Sequence, residues 1–261
     1  MTESAFQIDD RADCIVFKIT RPRRLNAITT EVLNGLESCI DSLEKQTANR
    51  GLVIIGEGER AFCAGTDLFE RDRFSDEQIR AKSDRARDLI VRLHQAPFVS
   101  IAALNGLAYG GGLELALGCV FRIAAPHAEC ALPEVKLGLI PAYAGTQLLP
   151  ALVGPSRALD MMLTGRPVPA DEALQMGLIN RIASDAEPLL DQAIAYLGSI
   201  SQYSKVAING IRQCAAVAGS QLTEEGLSVE RDCVIRVGLS DDAAEGVAAF
   251  REKRSAVFKH R

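Results

Sequence analysis

Segments typical of β-strands alternate with segments typical of helices through the first half of this 261-residue chain. Four short apolar or alternating runs predict strands, and two longer runs with apolar residues three or four apart predict helices. The strands lie at residues 14–20, 52–55, 98–104 and 120–124, and the helices at 29–45 and 76–93. Alternation of this kind is typical of βαβ units, so it predicts an α/β fold with a mostly parallel sheet.

After Pro141 the helical spacing of apolar residues dominates the chain. It predicts helices at residues 148–153, 156–163, 170–176, 186–196, 204–217, 222–237 and 241–258. No low-complexity linker separates these helices from the α/β part. We therefore expect one domain over residues 1–261, with an α/β core at 1–165, a helical region at 166–261 and a boundary between Thr164 and Pro169.

Charge and cysteine content argue against several classes of protein. The net charge of −5 disfavours binding to nucleic acid. No run of about 18 apolar residues is present, so no membrane span is expected. The seven cysteines are odd in number and lack C-x-x-C spacing, which favours a reducing, cytoplasmic location. The three histidines have no metal-ligand spacing, and we expect no metal site.

Two glycine-rich loops each follow an apolar run, at residues 61–68 (AFCAGTDL) and 105–116 (NGLAYGGGLELA). Two free backbone N–H groups that converge on one oxygen form an oxyanion hole, whereas the alternative is that these glycines only allow tight turns. Residues 56–61 also fit the dinucleotide pattern G-x-G-x-x-A. There Glu57 and Glu59 would repel a pyrophosphate, so we interpret the segment as a polar turn.

Two glutamates lie in otherwise apolar stretches. Glu114 sits in a run that predicts a buried helix, and Glu134 follows twenty residues later. A carboxylate in apolar surroundings is costly unless it is paired or used. Two carboxyls in a dry cleft hold different pKa values, so one can act as acid and the other as base. The residues alone leave an alternative open, in which Glu134 pairs with Lys136 or begins a helix.

The sequence resembles the crotonase, or enoyl-CoA hydratase/isomerase, family. Six segments carry the resemblance, in order and at compatible spacing: 21–27 (RPRRLNA), 61–68, 105–117, 132–150 (LPEVKLGLIPAYAGTQLLP), 163–180 and 245–259. The resemblance implies a spiral of ββα units with a helical C-terminal region used in trimer assembly. It also implies a homotrimer or dimer of trimers, in which Phe258 and Lys259 close over the CoA of a neighbouring subunit.

The resemblance implies hydration of 2-enoyl-CoA thioesters to 3-hydroxyacyl-CoA. The N–H groups of Thr66 and Gly111 match the oxyanion hole, and Glu114 and Glu134 match the pair that holds the water. Family members that act as isomerases tend to keep only the glutamate that matches Glu134, so the intact pair favours a hydratase. The alternatives are an enoyl-CoA isomerase, a specialised acyl-CoA dehydratase, or a non-catalytic assembly or RNA-binding protein on the same scaffold.

The resemblance places CoA along the first glycine loop, against Ala64, Gly65, Asp67 and Leu68. CoA is then part of the substrate, and no separate cofactor is expected. Arg24 matches a phosphate contact, although the basic cluster at 21–24 is equally well interpreted as a solvated turn.

One segment departs from the family pattern, which is rich in glycine after Ile140-Pro141. Here Ala142 and Tyr143 take those places. The added bulk predicts that Tyr143 reshapes the acyl pocket.

Overall fold

The computed structural model describes residues 4–218 and 223–261. Within these residues ten strands are present. They are β1 (Phe6–Asp10), β2 (Cys14–Ile19), β3 (Gly51–Gly56), β4 (Ala61–Cys63), β5 (Ser100–Leu104), β6 (Leu107–Tyr109), β7 (Phe121–Ala124), β8 (Glu129–Ala131), β9 (Val168–Pro169) and β10 (Arg181–Ile182).

Eleven α-helices and two 3₁₀ turns complete the described part of the chain. The helices are α1 (Thr30–Glu44), α2 (Leu68–Arg71), α3 (Asp76–Gln95), α4 (Gly111–Gly118), α5 (Gly145–Val153), α6 (Pro155–Thr164), α7 (Ala170–Gln175), α8 (Leu189–Ser201), α9 (Lys205–Ala216), α10 (Glu224–Gly238) and α11 (Asp241–Glu252). The 3₁₀ turns span Pro22–Arg24 and Glu134–Leu137. None of the described helices is long and apolar enough to cross a membrane.

The larger sheet has six strands in the order β1-β2-β3-β5-β7-β10, and only the β1–β2 pair is antiparallel. Its central strands are apolar on both faces. Leu52 and Ile54 of β3 belong to the main core with α1 and α3, whereas Val53 and Ile55 belong to a second core under α8. A sheet covered on both sides explains why these strands are continuous apolar runs in the sequence.

The smaller sheet has four strands in the order β4-β6-β8-β9, and each strand has only two or three residues. Strands β4, β6 and β8 run parallel. Their carboxyl ends therefore meet at one edge, and three segments follow from that edge: the loop at 64–67, helix α4 and the turn Glu134–Leu137. This sheet brings both glycine loops and both glutamates together.

The strands and helices predicted from periodicity are present within a few residues, and the α/β fold is confirmed. Strand β1 was missed because it is largely exposed and lacks an apolar stripe. The second sheet was missed because two or three residues are too few to show a period. Strands β9 and β10 add one strand to each sheet, so the α/β part extends to Ile182, beyond the boundary expected between Thr164 and Pro169.

The last predicted helix, over 241–258, is too long. Helix α11 ends at Glu252, and Lys253 takes a left-handed conformation with φ of 55°. The chain then turns back, because the buried Asp242 carboxylate accepts from the N–H groups of Lys259 and His260. The predicted start of the helix over 222–237 lies outside the described residues, and α10 begins at Glu224.

Two buried asparagines fix the turn between β3 and β4. Asn26 donates to the carbonyl oxygens of Glu57 and Ala61 at 3.0 and 2.7 Å, and its own oxygen accepts from the Arg21 N–H. Asn105 accepts from the Gly56 N–H and donates to Gly58. Side-chain amides thus replace ladder bonds at the entrance to the first glycine loop.

Replacing Asn26 with alanine is expected to lower the free energy of unfolding by about 1–3 kcal/mol, because buried backbone groups lose their partners. Urea unfolding followed by circular dichroism measures the change. Asn34→Ala, on the exposed face of α1, serves as the matched control and should change stability by less than about 0.5 kcal/mol. Equal effects of the two substitutions would contradict the proposed role of Asn26.

Candidate active site

A cavity of about 310 Å³ opens at the edge where β4, β6 and β8 end. Both glycine loops, both predicted glutamates and residues of α2 and α3 line it. Five residues that the sequence singled out in three separate segments all lie in its wall: Thr66, Gly111, Glu114, Glu134 and Tyr143. No cluster of three or more His, Cys, Asp or Glu side chains within 4–218 and 223–261 is placed to hold a metal ion.

The two glycine loops touch each other at the cavity. Gly65 has φ of 99°, and a Cβ built on it would lie 3.2 Å from the Gly111 nitrogen. A Cβ at Gly112 would lie 2.0 Å from the Cys63 carbonyl oxygen, so only glycine permits helix α4 to begin against β4. These glycines therefore allow the two loops to approach each other closely, in addition to allowing the turns.

The N–H groups of Thr66 and Gly111 donate to no protein acceptor in the described part of the chain. Gly111 is the first residue of α4, where backbone N–H groups have no partner within the helix and the helix dipole favours negative charge. Both residues line the cavity. The arrangement leaves two donors for a ligand oxygen.

Glu114 is 1% exposed and is held by the loop that leads into α5. Its Oε1 accepts from the N–H groups of Tyr143 and Gly145, both at 2.7 Å. Burial raises the pKa of the Glu114 carboxyl to about 7, the nearby Glu134 adds to this shift, and the two N–H donors oppose it. Glu114 can therefore exchange a proton near neutral pH.

Glu134 begins the 3₁₀ turn that follows β8. Its Oε2 is buried and has no hydrogen-bond partner among the described residues. Burial raises the pKa of this carboxyl. The sequence had left two other interpretations open: Glu134 does begin a helical turn, but Lys136 forms no ion pair with it in the described structure. A buried polar atom without a partner is a candidate contact for substrate or water.

Tyr143 packs against both residues whose N–H groups have no acceptor, Thr66 and Gly111. Its ring lies on Gly111, where an added Cβ would be 2.8 Å from the ring, and its hydroxyl lies 2.7 Å from Thr66 Oγ1. Burial raises the pKa of the Tyr143 hydroxyl. Ala142 also lines the cavity. The two residues that depart from the family pattern therefore form part of the wall, and their effect on substrate choice stays a prediction.

The residues expected to contact CoA divide into two groups. Ala64, Gly65 and Leu68 line the cavity, whereas Asp67 and Arg24 do not. The Asp67 carboxylate caps α2 and pairs with Arg21 at 2.6 Å, and its N–H donates to Ile28. The side chain and the N–H of Asp67 therefore already have partners within the protein.

Arg24 and the two predicted C-terminal contacts lie away from this cavity. The Arg24 guanidinium stacks on the Phe69 ring, 4.1 Å from its centre. Phe258 lies close to Gly246, and the Lys259 N–H donates to Asp242. Neither C-terminal residue lines the cavity of its own chain, and a contact with a neighbouring subunit stays a prediction.

The sequence reasoning missed the wall formed by α2 and α3. This part of the cavity is lined by Arg71, Phe74, Ile79, Lys82 and Ser83. Most of these residues lie on a charged stretch that carries no motif. The weak signal was Phe74, an aromatic residue in a charged and polar segment.

The raised pKa of Glu114 predicts a loss of stability with increasing pH. Between the ordinary value of 4.5 and about 7, the folded protein holds a proton that the unfolded chain has released. The free energy of unfolding therefore falls through this window, by about 3 kcal/mol for this carboxyl. The Glu114→Gln variant cannot titrate at this position, so its free energy of unfolding does not fall in this way. The difference between variant and wild type should therefore shift in favour of the variant by about 3 kcal/mol from about pH 4.5 to pH 8, as measured by urea unfolding.

The control for this experiment is Glu59→Gln, at an exposed position. Its stability relative to wild type should stay the same across the pH range. A difference between Glu114→Gln and wild type that does not change with pH would show that the Glu114 carboxyl titrates normally.

Comparison with known structures assigns the architecture. The structure matches a crystal structure of enoyl-CoA hydratase from Bacillus anthracis with a TM-score of 0.92 and 33% identity, over 98% of this chain and 100% of the other. The fold is therefore the crotonase fold.

The sequence comparisons agree with this architecture. The family profile described as enoyl-CoA hydratase/isomerase matches residues 9–261, and the chain belongs to this family. A crotonyl-CoA hydratase from Syntrophomonas wolfei is 34% identical over 93% of each chain. An enoyl-CoA isomerase/hydratase from Zymoseptoria tritici is 37% identical over 94% of this chain and 83% of its own.

Proposed function

We propose that this protein hydrates 2-enoyl-CoA thioesters to 3-hydroxyacyl-CoA. The observation that carries the proposal is that the buried Glu114 and the half-buried Glu134 line one cavity with Thr66 and Gly111, whose N–H groups have no acceptor in the described part of the chain. An isomerase needs one carboxyl to move a proton, whereas addition of water uses a base and an acid together. The second glutamate, with its buried Oε2, is therefore the reason to prefer hydration.

In the proposed reaction the thioester oxygen accepts from the N–H groups of Thr66 and Gly111. Water adds to C3 while Glu114 takes one of its protons, and the electrons of the C2=C3 bond move toward the thioester oxygen as an enolate. The N–H groups of Thr66 and Gly111 stabilise this charge, by about 3–4 kcal/mol per donor in comparable sites. Glu134 then gives its proton to C2, and Glu114 passes the proton it took from water to Glu134, which restores both carboxyls for the next turnover.

The local environments support this division of roles. Above its pKa of about 7 Glu114 is ionised, the form that a base needs, and two backbone donors to its Oε1 favour that form. Glu134 Oε2 has no donor in the described structure and is buried, which favours a bound proton. The nearby Glu134 contributes to the raised pKa of Glu114, so a pH profile reports the two carboxyls as a unit.

The direct test is an assay of the purified protein with crotonyl-CoA. We expect the enoyl-thioester absorbance to fall and the product to be 3-hydroxybutyryl-CoA, identified by mass spectrometry as substrate plus one water. A parallel assay with a 3-enoyl-CoA tests the competing isomerase function. Rapid isomerisation with no hydration would overturn the proposal. Because hydration is reversible, a dehydratase working on a 3-hydroxyacyl-CoA would use the same site.

We further propose that copies of this chain assemble through the C-terminal helices. Large apolar side chains on α9 and α11 and at the end of α10 are exposed, among them Ile211 (70%), Leu239 (83%) and Phe250 (84%). Exposed apolar surface of this extent is typical of subunit interfaces. A homotrimer or dimer of trimers would cover it and would bring Phe258 and Lys259 to a neighbouring subunit.

The double substitution Leu239→Asp and Phe250→Asp is expected to convert the oligomer to monomers, because it buries two charges in the contact. Light scattering after size-exclusion chromatography measures the mass. Ile8→Asp, at an exposed apolar position on β1, is the control and should leave the mass unchanged. A wild-type protein that is already monomeric would overturn this proposal.

A further inference from the structure

We propose that the α2–α3 wall of the cavity is an anion subsite, and that the acyl group of the substrate carries a carboxylate at its far end. The proposal rests on the proposed function and names its substrate class. Arg71 of α2, with Lys82 and Ser83 of α3, would meet this carboxylate.

Arg71 stands apart from the other arginines of the described residues. It is half-buried and lines the cavity, yet its guanidinium donates to no protein oxygen in residues 4–218 or 223–261. Each of the other half-buried arginines there donates to a carboxylate or a carbonyl. They are Arg11, Arg21, Arg50, Arg85, Arg92, Arg166 and Arg212.

None of the Arg71 nitrogens is among the buried unpartnered atoms of the described residues, so the guanidinium opens to the cavity with its five donors free of protein acceptors. These donors are available to an acceptor that a bound ligand supplies. A planar guanidinium matches a carboxylate in two parallel hydrogen bonds, so a carboxylate fits this position well.

The charge on the neighbouring lysine is already neutralised. Lys82 pairs with Glu70 and also contacts the Ile28 carbonyl at 3.4 Å. Glu70 is held in turn by the N–H of Thr30 at the start of α1. Arg71 is therefore the unneutralised positive charge of this wall, while Phe74 and Ile79 offer apolar surface for a short chain between the thioester and the anion.

The apolar side chains of Phe74 and Ile79, which line the same cavity as Arg71, favour the acyl group over the CoA phosphates as the source of the anion, because an acyl chain uses apolar surface and a phosphate does not. If the thioester oxygen binds at Thr66 and Gly111, C2 and C3 must lie between Glu114 and Glu134. The rest of the acyl chain then continues in the same cavity, and Arg71 lines that cavity.

The test compares binding of glutaryl-CoA and pentanoyl-CoA, two saturated ligands that differ in a terminal carboxylate and do not react. Isothermal calorimetry of the full chain should give a Kd at least about ten-fold lower for glutaryl-CoA. Arg71→Gln should remove this preference, and Arg71→Lys should restore part of it. Arg73→Gln, an exposed arginine just after α2, is the matched control and should keep the preference.

Steady-state rates with glutaconyl-CoA and 2-pentenoyl-CoA form the second arm, where kcat/KM should show the same preference and the same loss in Arg71→Gln. Equal affinities for the two saturated ligands in wild type would overturn the proposal, even if both enoyl substrates were hydrated. A binding preference without hydration would overturn the proposed function instead. An Arg71→Gln effect that is equal for both ligands, and that disappears with pantetheine thioesters, would assign Arg71 to a CoA phosphate and reject the acyl subsite.

Discussion

Replacing Glu114 with glutamine is expected to lower kcat for hydration by about 10²–10⁴-fold while the fold remains intact. The glutamine carbonyl can still accept from the N–H groups of Tyr143 and Gly145, so the loop around the cavity keeps its bonds. The carboxylate proposed as the base is lost, and no other carboxylate among the described residues contacts those two N–H groups. The effect is therefore chemical, and KM should change much less than kcat.

The measurement is a Michaelis analysis with crotonyl-CoA, alongside circular dichroism to confirm folding. Glu129→Gln is the matched control, because Glu129 bonds the Tyr109 hydroxyl and does not line the cavity. It should keep wild-type activity within a few-fold. Full hydration activity in Glu114→Gln would reject the two-glutamate mechanism, whereas retained isomerisation with lost hydration would support it.

Glu134→Gln is expected to give a loss of similar size, about 10²–10⁴-fold in kcat, because the acid that protonates C2 is removed. The Glu134 Oε2 atom has no partner in the described structure, so its loss disturbs few protein contacts. The distinguishing measurement is exchange of the C2 hydrogen of a saturated acyl-CoA in deuterated water. Exchange should fall sharply in Glu134→Gln and only modestly in Glu114→Gln.

Combining the two substitutions tests whether the carboxyls act as a unit. The expected loss in the double variant is close to that of the worse single variant, since groups that serve one step are strongly non-additive. A double-variant loss equal to the product of the two single losses would mean that the carboxyls act in independent steps.

Long elements were predictable from the sequence, and short ones were not. Helix α3 buries apolar residues three or four apart, and strand β3 is a continuous apolar run, so both are visible in the sequence. Strands β4, β6 and β8 have three residues each and leave no period. Yet it is this second sheet that assembles the site, so topology could not come from periodicity alone.

The candidate site was predictable where the family resemblance covered it. Glu114 and Glu134 were ambiguous as isolated residues, and only the resemblance assigned them to one water. Arg71 lies outside the quoted motifs, in a stretch where charge is the normal state of a surface. The Arg71 guanidinium is notable because it has no acceptor among the described residues, and only the three-dimensional structure shows this.

The loop at 142–145 contacts two separate parts of the cavity. Tyr143 packs its ring on Gly111, and the same residue donates its N–H to Glu114. A change of shape in this loop would therefore disturb the surroundings of Gly111 and Glu114 together. Among the described residues, the side chains of the α2–α3 wall bond neither Glu114 nor Glu134. A substitution in this wall can thus leave the contacts of both glutamates in place, so selection or design can vary the wall without changing them.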